Sequence, residues 1–202
     1  MSKIKICGLS REEDIMYVNQ AKADYAGFVI NFPKSHRNVT PERAKVLKEG
    51  LIKGITAVGV FVNQPASELA LMANRDVVDM IQLHGEEDES YIEKLKGMTD
   101  KPIIKAFQIK SDEDIRKAEQ SCADYILLDA GRGEGKTFDW HLLLKMRRQY
   151  FLAGGLTPLN IEEAIKKYHP FAIDISSGVE TEKKKDRRKI IDAVNAAHKE
   201  ER

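Results

Sequence analysis

The sequence predicts an α/β fold of one domain, a closed (β/α)8 (TIM) barrel with eight parallel strands. Three observations carry this reading. Short runs rich in β-branched and aromatic residues alternate eight times with charged stretches of helical spacing. The runs recur at a nearly even step, starting at residues 3, 25, 55, 80, 102, 125, 150 and 172. Several are almost wholly apolar, as strands buried on both faces must be. An open doubly wound sheet also alternates strands with helices, but eight even units favour the barrel. The 202 residues suffice for one barrel at the short end of its size range, and residues 1–202 hold no linker or low-complexity boundary.

The elements follow in order. The first strand is 3–7 (KIKIC), and Ser10-Arg11-Glu12-Glu13 then reads as a capping box with Glu13 at its third position. The second strand is 25–30. Thr40-Pro41-Glu42 after it reads as an N-cap with proline at the first helical position. The third strand is 55–62 and the fourth 80–84. Four acids, Glu86 to Glu89, sit where the next helix should begin and complement its dipole. The fifth strand is 102–109, followed by the cap-like Ser111-Asp112-Glu113-Asp114. The sixth, seventh and eighth strands are 125–130, 150–155 and 172–177. The last helix, 183–198, lines Ile190, Ile191 and Val194 along one stripe. Eight helices are expected for eight strands.

Charge and composition exclude several classes. Thirty-three basic and 32 acidic residues leave a net charge of +1, so attraction of the whole molecule to nucleic acid or an acidic membrane is not indicated. The basic run at 183–189 (KKKDRRK) lacks interleaved aromatics and reads as a solvated face opening the last helix. The longest uncharged stretch, 54–67, is too short to span a bilayer, and the first ten residues lack an apolar signal core. Cys7 and Cys122 make neither a zinc pattern nor a disulfide framework. A cytoplasmic protein without metal follows as the expectation, monomeric or homodimeric.

In a barrel, chemistry gathers where strands end at their carboxyl side. Gly154-Gly155 follows the seventh strand and Ser176-Ser177-Gly178 the eighth. Barrels often bind phosphate there through loop N–H groups, and glycine lets the backbone approach an anion. The alternative is two ordinary turns. Cys7 ends the first strand, either as a reactive thiol or as a small apolar residue. Asp129 follows four apolar residues, so its carboxylate needs a partner or a task. Asp174 lies inside the eighth strand as a structural acceptor or a site acid. Arg37, in the basic loop Lys34-Ser35-His36-Arg37, suits a planar carboxylate or is a solvated charge. His84 ends the fourth strand as a ligand contact or a satisfied structural histidine. Cys122 precedes the sixth strand, away from the site, and reads as structural.

These segments together resemble the phosphoribosylanthranilate isomerase family. The matches are Lys5-Ile6-Cys7-Gly8, Gly27-Phe28-Val29, Pro33-Lys34-Ser35-x-Arg37, and Gln82-Leu83-His84-Gly85. They continue with Leu128-Asp129, Phe138-Asp139-Trp140, Leu152-Ala153-Gly154-Gly155-Leu156, and Asp174-Ile175-Ser176-Ser177-Gly178-Val179-Glu180. The resemblance implies a (β/α)8 barrel of tryptophan biosynthesis. It implies the Amadori rearrangement of N-(5-phosphoribosyl)anthranilate to 1-(2-carboxyphenylamino)-1-deoxyribulose 5-phosphate, without cofactor or metal. It assigns Asp129 as general acid and Cys7 as general base. It places the phosphate on Gly154, Gly155, Ser177 and Gly178, and the anthranilate carboxylate at Arg37. His84 and Asp174 complete the sugar and anthranilate contacts. The histidine-pathway isomerase would want an aspartate where Cys7 stands. Two departures are visible: Thr181 to Asp186 lacks the family's usual glycine, and Gly131-Arg132-Gly133-Glu134-Gly135 replaces the more usual Gly-Gly-Thr-Gly run.

Overall fold

The structure, a computed structural model, describes residues 2–129 and 140–199. Eight parallel strands close on themselves: β1 (Lys3–Cys7), β2 (Tyr25–Ile30), β3 (Thr56–Phe61), β4 (Met80–Leu83), β5 (Ile103–Gln108), β6 (Tyr125–Asp129), β7 (Tyr150–Ala153) and β8 (Ala172–Ile175). Each pairs with the next, and β8 returns to β1 with Lys5 opposite Asp174. The barrel is therefore closed, as the even spacing predicts. The last strands end earlier than their apolar runs, because Gly154-Gly155 and Ser176-Ser177 leave the ladder to form loops. Ala130 and the 131–135 run lie outside the described residues, as do Phe138 and Asp139.

Among the described residues, seven α-helices surround the barrel: α1 (Glu12–Ala21), α2 (Pro41–Glu49), α3 (Ala66–Asn74), α4 (Glu89–Lys96), α5 (Asp112–Gln120), α6 (Ile161–Tyr168) and α7 (Arg187–His198). Among the described residues, a 3-10 helix (Trp140–Lys145) stands between β6 and β7 where an eighth α-helix is expected. It stops short at Arg147 and Arg148, whose backbone N–H groups both donate to Glu119.

Three helix starts differ from the sequence pattern. At α1 the capping carboxylate is Asp14, which accepts from the Ser10 and Arg11 backbone N–H groups; Glu13 does not take that place. At α4 the cap is Asp88, which accepts from Tyr91 N–H, and Glu87 turns inward instead. The final helix begins only at Arg187, capped by Asp186. Thr40 caps α2 with Pro41 behind it, as read.

Strand alternation splits the core in two. Outward residues such as Ile4, Ile6, Phe28, Phe61 and Ile81 pack under the helices. Inward residues fill the lower barrel: Tyr25, Val58, Met80, Ile104, Leu127 and Phe151. Phe151 meets Tyr25, Tyr125 and Phe171 with ring centroids 5.3, 6.0 and 5.6 Å away. Lys3 lies over Tyr25 and Phe171. Three aspartates tie this end together: Asp24, Asp79 and Asp124 accept from Ile4, Ala57 and Ile103 N–H respectively. Each also holds a helix side chain, namely His198, Lys48 and Lys96.

Candidate active site

All nine residues singled out in the sequence line one cavity of about 310 Å3 at the carboxyl end of the strands. Strand geometry puts them there. Cys7 is the last residue of β1 and Asp129 the last of β6. His84 directly follows β4, and Asp174 faces inward from β8. Arg37 reaches in from the loop after β2. Gly154 and Gly155 adopt φ of 95° and 65°, a left-handed pair that glycine makes without strain. Ser177 and Gly178 begin a 3-10 helix, Ser177–Val179. A Cβ on Gly178 would lie 1.9 Å from the Leu156 carbonyl oxygen, so only glycine brings the two loops this close. Cys122 lies outside the cavity lining, with its N–H on Glu89.

The polar groups sort into three clusters. In the first, Lys5 Nζ donates to Asp174 Oδ1 at 3.0 Å inside the barrel, beside Cys7. Burial pushes the Cys7 thiol above its ordinary value; Lys5 opposes this, Asp174 adds to it, and Lys185 opposes it more weakly. Positive charge thus assists the thiolate, but burial outweighs it. Burial also works against the Lys5 ammonium, yet Asp174 and Cys7 leave its net shift upward.

In the second cluster, Gln82 Nε2 lies 3.1 Å from His84 Nδ1, and His84 Nε2 lies 3.8 Å from Asp129 Oδ2. Burial lowers the His84 value against the pull of Asp129 and Asp174. In the tautomer that lets the Gln82 amide N–H donate to Nδ1, the ring proton lies on Nε2, toward Asp129. Gln82 is 1% exposed, lines the cavity, and its Oε1 has no partner among the described residues.

The third cluster changes the reading of two charges. Arg37 is clamped by Glu180, with Nε to Oε1 at 2.6 Å and Nη2 to Oε2 at 2.8 Å. Lys185 Nζ donates to the same Oε1 at 2.7 Å and to the Ser176 carbonyl at 3.0 Å. Arg37 is thus neither solvated nor wholly free for a ligand, though its fork has further donors. Lys185 is 5% exposed, so the basic run is not one solvated face. Residues 183–185 precede α7 and form part of a hairpin, Glu180–Thr181 against Lys184–Lys185. Its turn uses Glu182 and Lys183 at φ of 50° and 63°, which is how this chain manages without the usual glycine.

Sequence reasoning missed Lys5, Gln82, Glu180 and Lys185. A signal existed for two. Lys5 and Gln82 are polar residues with inward register inside apolar strands, which demands a partner. Glu180 and Lys185 carried no local signal. Another buried pair, Lys105 with Glu87 at 2.9 Å, lies behind the rim. Glu87 also accepts from the Asn63 and Gly85 N–H groups, fixing the loop that follows His84.

A pocket of titratable groups at the carboxyl ends of a closed parallel barrel defines a (β/α)8-barrel enzyme. Residues 4–196 match the family model described as N-(5'-phosphoribosyl)anthranilate (PRA) isomerase. The isomerase of that name from Endomicrobium trichonymphae is 46% identical over 199 residues, covering 96% of this chain and 97% of the relative. The crystal structure of the Thermotoga maritima phosphoribosyl anthranilate isomerase superposes with a TM-score of 0.86 at 36% identity, covering 98% of each chain. A further isomerase structure, in complex with reduced 1-(o-carboxyphenylamino)-1-deoxyribulose 5-phosphate, is 34% identical with a TM-score of 0.84, again over 98% of each chain. The chain belongs to the N-(5'-phosphoribosyl)anthranilate isomerase family, and it is an isomerase of tryptophan biosynthesis.

Proposed function

We propose that the pocket performs the Amadori rearrangement of N-(5-phosphoribosyl)anthranilate by general acid–base catalysis, with Asp129 as acid and Cys7 as base. The observation that carries this reading is their placement. The two side chains enter one cavity from the ends of β6 and β1, with room for a ligand between them. Asp129 gives its proton to the furanose ring oxygen, the C1–O bond breaks, and the ring opens to an iminium. Cys7 takes the proton from C2, and that electron pair forms the C1–C2 double bond of the enolamine. The enolamine tautomerises to the ketone. One proton moves from Asp129 to Cys7, and its return resets the pair.

The surroundings suit these roles. Leu127 and Leu128, both fully buried, directly precede Asp129 in sequence, and the His84 ring faces it. The apolar neighbours favour a carboxyl that keeps a proton. The Gly154–Gly155 loop and Ser177–Gly178 turn form the phosphate end. Arg37 takes the anthranilate carboxylate with the donors that Glu180 leaves. His84 and Asp174 hold the sugar. Two free cysteines fit our placement of the enzyme in the cytoplasm, as one barrel domain. Among the described residues, no helix is long and apolar enough to cross a membrane. The Thermotoga maritima enzyme is described as dimeric, and we keep monomer and homodimer open for this chain.

The test is turnover of freshly made phosphoribosylanthranilate, followed by loss of its fluorescence, beside Asp129→Asn and Cys7→Ser. Each variant should lose about 10²-fold or more in kcat, the scale of a general acid or base. Activity surviving in a folded variant removes that residue from its role.

A further inference from the structure

Lys5 is fully buried inside the barrel, and the reaction as written does not use it. Lys5 and Cys7 share the inward face of β1 by strand alternation. The lysine side chain climbs that face past Gly27 of β2. A Cβ on Gly27 would lie 2.9 Å from Cys7 Sγ and 3.0 Å from Lys5 Nζ, so sulfur and ammonium flank one point. On its other side the ammonium donates to Asp174. Burying an ammonium costs several kcal/mol unless it is paired. Asp174 meets most of that need and Cys7 adds to it. The same adjacency places the ammonium where it acts on the thiol.

We infer that Lys5 is a positioning residue for the base: anchored by Asp174, its ammonium stabilises the Cys7 thiolate that accepts the C2 proton. The inference rests on the reading of Cys7 as base. Four charged groups face the thiol. Lys5 comes from β1, Asp174 from β8, Arg37 from the loop after β2, and Lys185 from the hairpin. Arg37 and Lys185 share Glu180 as counter-ion, as Lys5 has Asp174. Lys5 is the strongest of the cations acting on it. In the step itself the C2–H bond breaks and the S–H bond forms. The electron pair moves into the C1–C2 bond and neutralises the iminium nitrogen. Lys5 keeps its proton throughout.

The test uses a Cys122→Ser background, which leaves Cys7 as the single thiol. Iodoacetamide reaches Cys7 through the cavity, and its alkylation rate against pH reports the thiolate. Lys5→Met should raise the Cys7 titration by about one unit or more, a tenfold loss of thiolate at pH 7. Turnover should follow: kcat falls about tenfold with KM within about threefold, and activity recovers as pH rises. Lys5→Arg keeps the charge and should restore most of both. Should Lys5→Met fold poorly because Asp174 is orphaned, Lys5→Met with Asp174→Asn removes that charge, and its thiol titration is read against Asp174→Asn alone. An unmoved Cys7 titration in a folded Lys5 variant overturns the inference. Full activity of Cys7→Ser overturns the base assignment and this inference with it, whatever the titration does.

Discussion

The two ends of the barrel share the same eight strands but solve opposite problems. At the amino end, Tyr25, Tyr125, Phe151 and Phe171 fill the interior, and Asp24, Asp79 and Asp124 tie strands to helices. At the carboxyl end the same inward positions hold Cys7, His84, Asp129 and Asp174 around an open cavity. In β6, moving four residues up the strand exchanges the Tyr125 ring for the Asp129 carboxylate. The floor gains stability from apolar burial, and the rim keeps polar groups paired with one another. The difference teaches that stability and chemistry are separable here along the barrel axis.

The largest effect should come from the floor. Phe151 is fully buried among three rings, and Phe151→Ala should cost about 3–5 kcal/mol in urea unfolding. Turnover per folded molecule should stay near wild type. A large fall in kcat of the folded variant would break the separation.

Gly178→Ala probes the rim. Its Cβ collides with the Leu156 carbonyl and pushes the two loops at the phosphate end apart. KM should rise about tenfold, equivalent to roughly 1.4 kcal/mol of lost binding, with a smaller change in kcat. An unchanged KM would remove these loops from substrate binding.

Glu180 tests whether a rim charge also serves stability. Burial raises its value, but Arg37 and Lys185 outweigh this and hold it at about 2, below the ordinary 4.5. A depressed carboxylate stabilises the fold above its unfolded value and loses that stabilisation as pH falls through its folded value. Wild type should therefore exceed Glu180→Gln in thermal stability above about pH 4.5. The gap should close towards pH 2. A gap independent of pH would contradict the ion-pair account.

The smallest effect concerns the hairpin turn. Left-handed backbone costs a residue with a side chain about 1–2 kcal/mol, while glycine's greater freedom when unfolded offsets about half of this. Lys183→Gly should stabilise by roughly 0.5 kcal/mol, or about 1–2 °C in Tm, without altering turnover. A lowered Tm would mean that the Lys183 side chain has a role of its own.

Much of the fold is legible in the sequence alone. Strand alternation and even spacing placed the eight barrel strands. The rule that barrel sites gather at strand ends, together with the family resemblance, picks nine residues, and all nine line the cavity. Helix starts were less legible. In a cluster such as Glu86 to Glu89, several acids compete for one cap, and only packing selects Asp88 for it while turning Glu87 onto Lys105. The segments Ala23-Asp24-Tyr25 and Ala123-Asp124-Tyr125 repeat a motif whose meaning, an aspartate accepting from the neighbouring strand, needs that neighbour.

By itself the sequence determined the periodicities and where along the chain each strand falls, since these follow from local backbone geometry. Tertiary structure alone decided the charge partners. Arg37 finds Glu180 across 143 positions and Lys5 finds Asp174 across 169. Burial of Lys185 within a strongly basic run depends on which loops cover it. The physical reason is range. Backbone preference acts over a few residues, whereas the stability of a buried charge depends on whatever the closed barrel brings within about 4 Å of it.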